Sequence, residues 1–211
     1  GSEISVRFKL PVPGAAYDFG SKFGATVEQA ADLLRRAAST GNTPSMTFHP
    51  GPQCTEAAAW ESYIHVAAEI AQVAGVRIAR LNVGGGFPSH RFAADPPDLE
   101  AIFLRIGRAA RAAFGPDGPV LLCEPGRGMV AESQSLAARV RAVRDGNDVF
   151  LDDGVYGGLR EGPQSGTTAR YEVSDAQGAP RRGPLCQRTV FGPTCDSLDK
   201  LPGKLKRPGK I

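Results

Sequence analysis

Through its first two-thirds the chain alternates short apolar runs with longer stretches of helical periodicity, and nothing else in the sequence constrains the fold as much. Residues 4–10, 45–49, 78–83 and 120–123 read as strands. Between the first two, Thr26 is placed as an N-cap and Gln29 completes a capping box. Val27, Ala30, Ala31, Leu34, Ala37 and Ala38 follow at helical spacing, and Gly41 is the stop. Thr55 opens a second helix with an apolar stripe of Trp60, Tyr63, Ile64, Ala67, Ile70, Ala71 and Ala74, closed by Gly75. Leu99, Ile102, Phe103, Ile106, Ala109, Ala110 and Ala113 mark a third helix. The strand-to-strand interval of about 35–40 residues suits βα units feeding a parallel sheet. This is half of a (β/α)8 barrel, and an open doubly wound sheet has the same pattern; periodicity alone does not separate them.

The character changes after about residue 130, which divides the chain into an α/β region, 3–130, and an incomplete β-domain, 131–211. Residues 136–143 are ambiguous between helix and strand, whereas 149–152 and 188–191 read as strands. Residues 161–184 are rich in Gly, Pro, Ser and charge and read as a loop or long hairpin. The basic tail 201–211 ends without a closing element.

Composition excludes some functions. A net charge of +3 over 211 residues, with no basic stripe interleaved with aromatics, does not indicate nucleic acid. No apolar run approaches the roughly 20 residues that cross a bilayer. Cys54, Cys123, Cys186 and Cys195 form no Cys-x-x-Cys pair and no Cys/His cluster, which argues against structural zinc and suits reduced thiols in a cytoplasmic protein.

In parallel α/β folds the loops after the strand C-termini build the site. Here they carry Phe48-His49-Pro50-Gly51-Pro52-Gln53-Cys54, then Asn82-Val83-Gly84-Gly85-Gly86-Phe87-Pro88, then Glu124-Pro125-Gly126-Arg127. A glycine run lets backbone N–H groups close on an anion, and Arg127 can add a charge-assisted contact; together they suggest a phosphate. Glu124 can meet a cationic ring nitrogen, and His49 can stack on a planar ring. Each feature also has a plain structural reading: a tight turn for the glycines, a surface ion pair for Glu124 with Arg127, a satisfied core imidazole for His49. His65 and His90 receive no role.

Six segments together resemble the ornithine/diaminopimelate/arginine decarboxylases, barrel-type pyridoxal-phosphate enzymes related in fold to alanine racemase. They are Lys22-Phe23-Gly24-Ala25, Phe48-His49-x-Gly51, Gly84-Gly85-Gly86-Phe87-Pro88, Glu124-Pro125-Gly126-Arg127, Asp153-Gly154-Val155-Tyr156-Gly157 and Gly192-Pro193-Thr194-Cys195-Asp196-Ser197-Leu198-Asp199, in the family's order. The resemblance implies that pyridoxal 5'-phosphate is the cofactor. Gly84, Gly85, Gly86, Gly126 and Arg127 would hold its phosphate region, His49 would stack on its ring, and Glu124 would keep the pyridine nitrogen protonated. It further implies a homodimer with shared active sites, in which Cys195 and Asp196 come from the partner chain. Cys195 would reprotonate the carbanion left when carbon dioxide departs. Asp153 and Asp196 would grip the distal ammonium of the amino-acid substrate, beside Phe87. Cys195-Asp196 resembles the ornithine-type pattern, whereas diaminopimelate enzymes place Glu after the Cys. L-Ornithine, with L-lysine close behind, is the implied substrate, and polyamine biosynthesis the implied context.

The chain also departs from that family. The segment carrying the cofactor lysine has no counterpart; Lys9 and Lys22 do not match it, and the first strand resembles the fifth of the barrel. The expectation is therefore a piece of a longer protein or of a split assembly, with a non-catalytic, partner-binding homologue as the alternative. Pro52 stands where the family has Ser, and so lacks both a hydroxyl and an N–H.

Overall fold

The computed structural model describes residues 1–11, 20–90, 96–160, 171–203 and 205–208, with Leu185 and 205–208 described by backbone alone. They divide into two units, Gly1–His90 with Pro96–Glu132, and Ser133 onward.

The first unit is built on β1 (Glu3–Arg7), β2 (Thr43–Thr47), β3 (Arg80–Asn82) and β4 (Val120–Leu122), all parallel and adjacent in chain order. That order has no reversal, so these strands have no switch point of the doubly wound kind. The helices α1 (Val27–Ser39), α2 (Ala57–Ala74) and α3 (Leu99–Phe114) pack in sequence, α1 on α2 and α2 on α3. Val6, Phe8, Met46, Phe48, Leu81 and Val83 alternate into the core with the buried faces of these helices. The opposite sheet face is mixed: Ser45 Oγ donates to Glu3 Oε1 at 2.7 Å and Glu3 also pairs with Arg80, whereas Val120 and Leu122 of β4 expose apolar side chains there.

Local signals set the helix ends. Gln29 N–H donates to Thr26 Oγ1 at 3.3 Å and Thr26 N–H donates to Gln29 Oε1 at 3.0 Å, the reciprocal cap that the sequence predicts. Gly75 closes α2 in the left-handed region at φ 65°. Helix α2 starts later than expected, with Glu56 in the N-cap position and no side-chain capping bond, and Ala38 of the predicted α1 stripe is exposed. Two aromatic side chains of α2 fasten the strand ends. Trp60 Nε1–H donates to Val83 O at 3.2 Å, and Tyr63 Oη accepts from Leu10 N–H at 2.9 Å and donates to Leu10 O at 3.0 Å. The ladder runs on past the strands, through Phe8 N–H to Thr47 O and Phe48 N–H to Asn82 O, both 3.1 Å. A short helix, α4 (Gly126–Val130), follows β4.

The second unit is a four-stranded sheet of β5 (Val140–Arg144), β6 (Asp148–Leu151), β7 (Leu185–Phe191) and β8 (Leu205–Pro208), in that order. β5–β6 and β7–β8 are antiparallel and β6–β7 is parallel. Val149, Leu151 and Val190 form its small core. The region ambiguous from sequence is thus a strand from Val140. The tail expected to lack a closing element contains β8: an edge strand needs only backbone partners, so a Lys- and Pro-containing segment can form one without an apolar pattern. Of the predicted 161–184 loop, 161–170 lies outside the described residues, and the remainder holds one bridge, Ser174 to Pro180. Among the described residues no helix is long and apolar enough to cross a membrane.

Candidate active site

The loops after β2, β3 and β4 converge. His49 follows β2, and its Nδ1 accepts Gly51 N–H at 3.0 Å. In a neutral ring this bond leaves the proton on Nε2. Burial pushes the His49 pKa down, the charges of Arg7 and Arg127 push the same way, and Glu124 opposes them. Arg7, at the end of β1, lies with its guanidinium 5.0 Å from the centre of the Phe23 ring.

The glycine run after β3 is packed backbone against backbone. A Cβ on Gly85 would lie 2.5 Å from Glu124 O and 3.2 Å from His49 Nε2. One on Gly84 would run into Phe48 O, and one on Gly86 into Gly51 O. Gly84 N–H donates to Asn82 Oδ1 at 2.9 Å, Glu124 N–H donates to Gly84 O at 2.8 Å, and Cys54 N–H donates to Gly86 O at 2.9 Å. Gly85 is buried, yet among the described residues its N–H and that of Gly86 donate to no protein acceptor. A buried backbone donor without a partner is costly, and an anion would complete it. The residues therefore fit a phosphate-bearing group.

Glu124 Oε1 accepts from Asn82 Nδ2 at 3.0 Å, and among the described residues it forms no ion pair with Arg127. Asn82 thus holds both the glycine turn and the carboxylate, a role that sequence reasoning missed. Its signal was available: a side-chain amide placed two residues before a backbone N–H in a turn. Gly126 N–H donates to Glu124 O at 2.8 Å and opens α4, which carries the half-buried Arg127. Phe87, expected at the substrate, belongs to the core. It is 2% exposed and stacked between Trp60 at 5.0 Å and Phe103 at 4.8 Å. Alternation after the glycine turn carries its ring to the helix side. Pro52 is buried in the loop after β2.

In the second unit, two motif loops meet on Asp199. Its buried carboxylate accepts from Val155 N–H at 2.9 Å, Thr194 N–H at 3.1 Å and Thr194 Oγ1 at 2.7 Å. A Cβ on Gly154 or Gly192 would strike that carboxylate. Burial works to raise the Asp199 pKa, but the bonds from Thr194 and Val155 prevail and hold it below the ordinary carboxylate value. Tyr156 Oη donates to Asp196 Oδ2 at 2.5 Å, and Leu198 N–H donates to Oδ1 at 2.9 Å. The Tyr156 bond, then the Leu198 bond, lowers the pKa of Asp196. Asp153, expected to grip the substrate, is turned onto its own loop: it accepts from Gly154 N–H at 2.8 Å and from Gly158 N–H at 3.1 Å, so its charge shapes that loop. Cys195 is an exposed free thiol, on a groove of about 690 Å³ that also carries Phe150, Phe191 and Asp196.

The strand-end loops of a consecutive parallel sheet thus join backbone donors, an arginine, an imidazole and a carboxylate. The chain belongs to the pyridoxal-dependent decarboxylases: the model of their pyridoxal binding domain matches residues 1–131. It is 31% identical over 208 residues to the lysine/ornithine decarboxylase of Selenomonas ruminantium, covering 95% of this chain and 51% of that protein. It is 29% identical over 218 residues to ornithine decarboxylase 2 of Drosophila melanogaster, covering 95% and 53%. The lysine/ornithine decarboxylase of Vibrio vulnificus, solved with putrescine, superposes with a TM-score of 0.73 at 27% identity, over 90% of this chain and 52% of that one. The chain spans about half the length of the curated relatives it matches.

Proposed function

We propose that this chain supplies the second half of a cofactor-binding (β/α)8 barrel, residues 3–130, and part of a β-domain, residues 131–211, of a pyridoxal-phosphate-dependent decarboxylase of basic amino acids. The observation that carries the reading is the N–H of the buried residue Gly85, which among the described residues donates to no protein acceptor, on a turn packed against His49 and the Glu124 backbone. The unreversed strand order and the family match support it.

Bound, pyridoxal 5'-phosphate supplies an electron sink for the pair left when the substrate Cα–carboxylate bond breaks. The Gly85 and Gly86 N–H groups and the Arg127 guanidinium hold the phosphate, with Gly84 and Gly126 shaping the turns beside it. His49, whose pKa burial lowers, would stack on the ring. Glu124, oriented by Asn82, keeps a proton on the ring nitrogen. Cys195 Sγ–H delivers a proton to the substrate Cα after carbon dioxide leaves. Asp196, ionised and steadied by Tyr156, accepts from the distal ammonium of the substrate. The active sites are shared in a homodimer, with Cys195 and Asp196 serving the partner's site. Cys195-Asp196 favours L-ornithine, then L-lysine, giving a diamine for cytoplasmic polyamine biosynthesis.

The test is a titration of the purified protein with pyridoxal 5'-phosphate, then carbon dioxide release from L-ornithine, L-lysine, L-arginine and meso-diaminopimelate. Saturable binding, with release from ornithine or lysine above the other two, is expected. No saturable binding removes the cofactor reading, and preference for meso-diaminopimelate removes the substrate reading.

A further inference from the structure

The loop after β2 and the loop after β3 are joined by a side-chain clamp as well as by backbone packing. Gln53 Nε2 donates to Ser89 Oγ at 3.0 Å, and Ser89 N–H donates to Gln53 Oε1 at 2.8 Å. Gln53 makes this two-point contact while held at φ 52°, in the left-handed region that a residue with a Cβ disfavours. Strain of this kind persists only where the surroundings impose it. Beside it, Cys54 N–H donates to Gly86 O at 2.9 Å, and Gly51 O lies where a Gly86 side chain would stand.

Most of the loop after β2 has no N–H to offer an anion, that of Gln53 apart. Pro50 and Pro52 lack an N–H, Gly51 N–H is engaged by His49 Nδ1, and Cys54 N–H by Gly86 O. Its contribution is to brace the loop after β3, where the Gly85 and Gly86 donors are. We infer that Gln53 and Ser89 are positioning residues. Their clamp holds the His49 loop against the glycine turn and keeps the Gly85 and Gly86 N–H groups convergent on the phosphate of the cofactor, a role that rests on the cofactor reading above.

The test compares the protein with Gln53→Asn, Ser89→Ala and Ser89→Thr. Asparagine tolerates the left-handed region but is too short to reach Ser89. Each protein is titrated with pyridoxal 5'-phosphate, the phosphorus resonance of the bound cofactor is recorded, and the thermal midpoint is measured. Gln53→Asn should raise the Kd roughly tenfold, as loss of a supporting hydrogen bond does at other ligand sites. It should also move the bound phosphorus resonance toward the free position, with the thermal midpoint close to the parent's. Ser89→Ala, which keeps the N–H, should fall between; Ser89→Thr, which keeps both groups, should match the parent. If the parent gives no bound phosphorus signal, the cofactor reading fails and this inference with it. If the parent binds and Gln53→Asn has the same Kd and resonance, the clamp alone is overturned. The same holds if affinity falls only in step with melting while the resonance stays in place. Should Gln53→Asn fail to fold, Ser89→Ala decides by the same criteria.

Discussion

Replacing Gly85 with alanine tests the cradle most directly, because the structure gives the clash its size. Gly85 lies outside the left-handed region, so alanine's backbone preference is no obstacle; space is. The new Cβ would sit 2.5 Å from Glu124 O, where ordinary contact begins at about 3.4 Å, so the two backbones must part by about 0.9 Å. Neither side yields easily. Glu124 O accepts Gly126 N–H and Glu124 N–H donates to Gly84 O, both at 2.8 Å, so the movement spreads through the loops after β3 and β4. Overpacking of this kind costs about 1–3 kcal/mol. The same movement carries the Gly85 N–H away from its ligand, and at a tenfold change per 1.4 kcal/mol the affinity for pyridoxal 5'-phosphate should fall roughly 10- to 100-fold. Gly107→Ala is the control: it is exposed in α3, its Cβ would meet nothing within 4 Å, and alanine should stabilise that helix by up to about 1 kcal/mol. Urea denaturation and cofactor titration read both effects. Parent-like stability in Gly85→Ala refutes the steric argument, and lost stability with unchanged affinity refutes the cradle.

The remaining predictions concern protons. His49 has its pKa lowered chiefly by burial, so as pH falls through the ordinary imidazole range the unfolded chain takes up the proton first. Its contribution is present above that range and lost below it; His49→Gln should flatten the fall in urea midpoint from about pH 8 to about pH 5.5, by at most about 1.4 kcal/mol per pH unit for one group. An unchanged profile counts against a lowered His49 pKa. Asp199 is buried, which works to raise its pKa, but its bonds to Thr194 and Val155 hold it low, so its stabilisation is present at neutral pH and lost in acid. Asp199→Asn sets an amide against those donors and should cost about 1–3 kcal/mol by thermal denaturation; a variant as stable as the parent would remove the proposed tie between the two loops. Tyr156→Phe removes the bond that lowers Asp196, so the acidic limb of the decarboxylation profile should move to higher pH. Movement toward lower pH would contradict the assigned role.

The parts of the fold legible in the sequence are those fixed by short-range chemistry. Thr26 with Gln29, Gly75, and the α2 stripe from Trp60 to Ala74 act within a turn or two, and the structure places them as read. The β5–β6 hairpin is legible as well. Asp145 at φ 52° and Gly146 at φ 69°, with Asn147 N–H donating to Arg144 O at 3.2 Å, form the turn that an Asp-Gly pair favours. β8 left no apolar signature, because an edge strand forms through backbone pairing. Where Phe87 and Asp153 point was not legible for one reason: a motif names residues without giving side-chain direction. Phe87 follows the glycine turn, but its ring faces the helices. Asp153 opens a loop motif, but its carboxylate turns back onto that loop's own N–H groups. The Asn82–Glu124 and Gln53–Ser89 bonds are not legible for the converse reason, since they are set by the approach of separate loops; only the Asn82 bond to Gly84 N–H is local.

A glycine run alone offers two readings, a tight turn or an anion cradle, and the geometry makes them one. Gly84 and Gly86 are glycines because Phe48 O and Gly51 O leave no room for a side chain. Bringing the three loops that close engages Gly84 N–H, Gly84 O and Gly86 O with Asn82, Glu124 and Cys54. The N–H of the buried Gly85, in the middle, has no protein acceptor among the described residues and lies beside the His49 imidazole. The tightness that a turn reading explains is thus what creates the unmet donor that an anion reading needs. A change that loosens the turn should weaken anion binding even where no ligand-facing atom is altered.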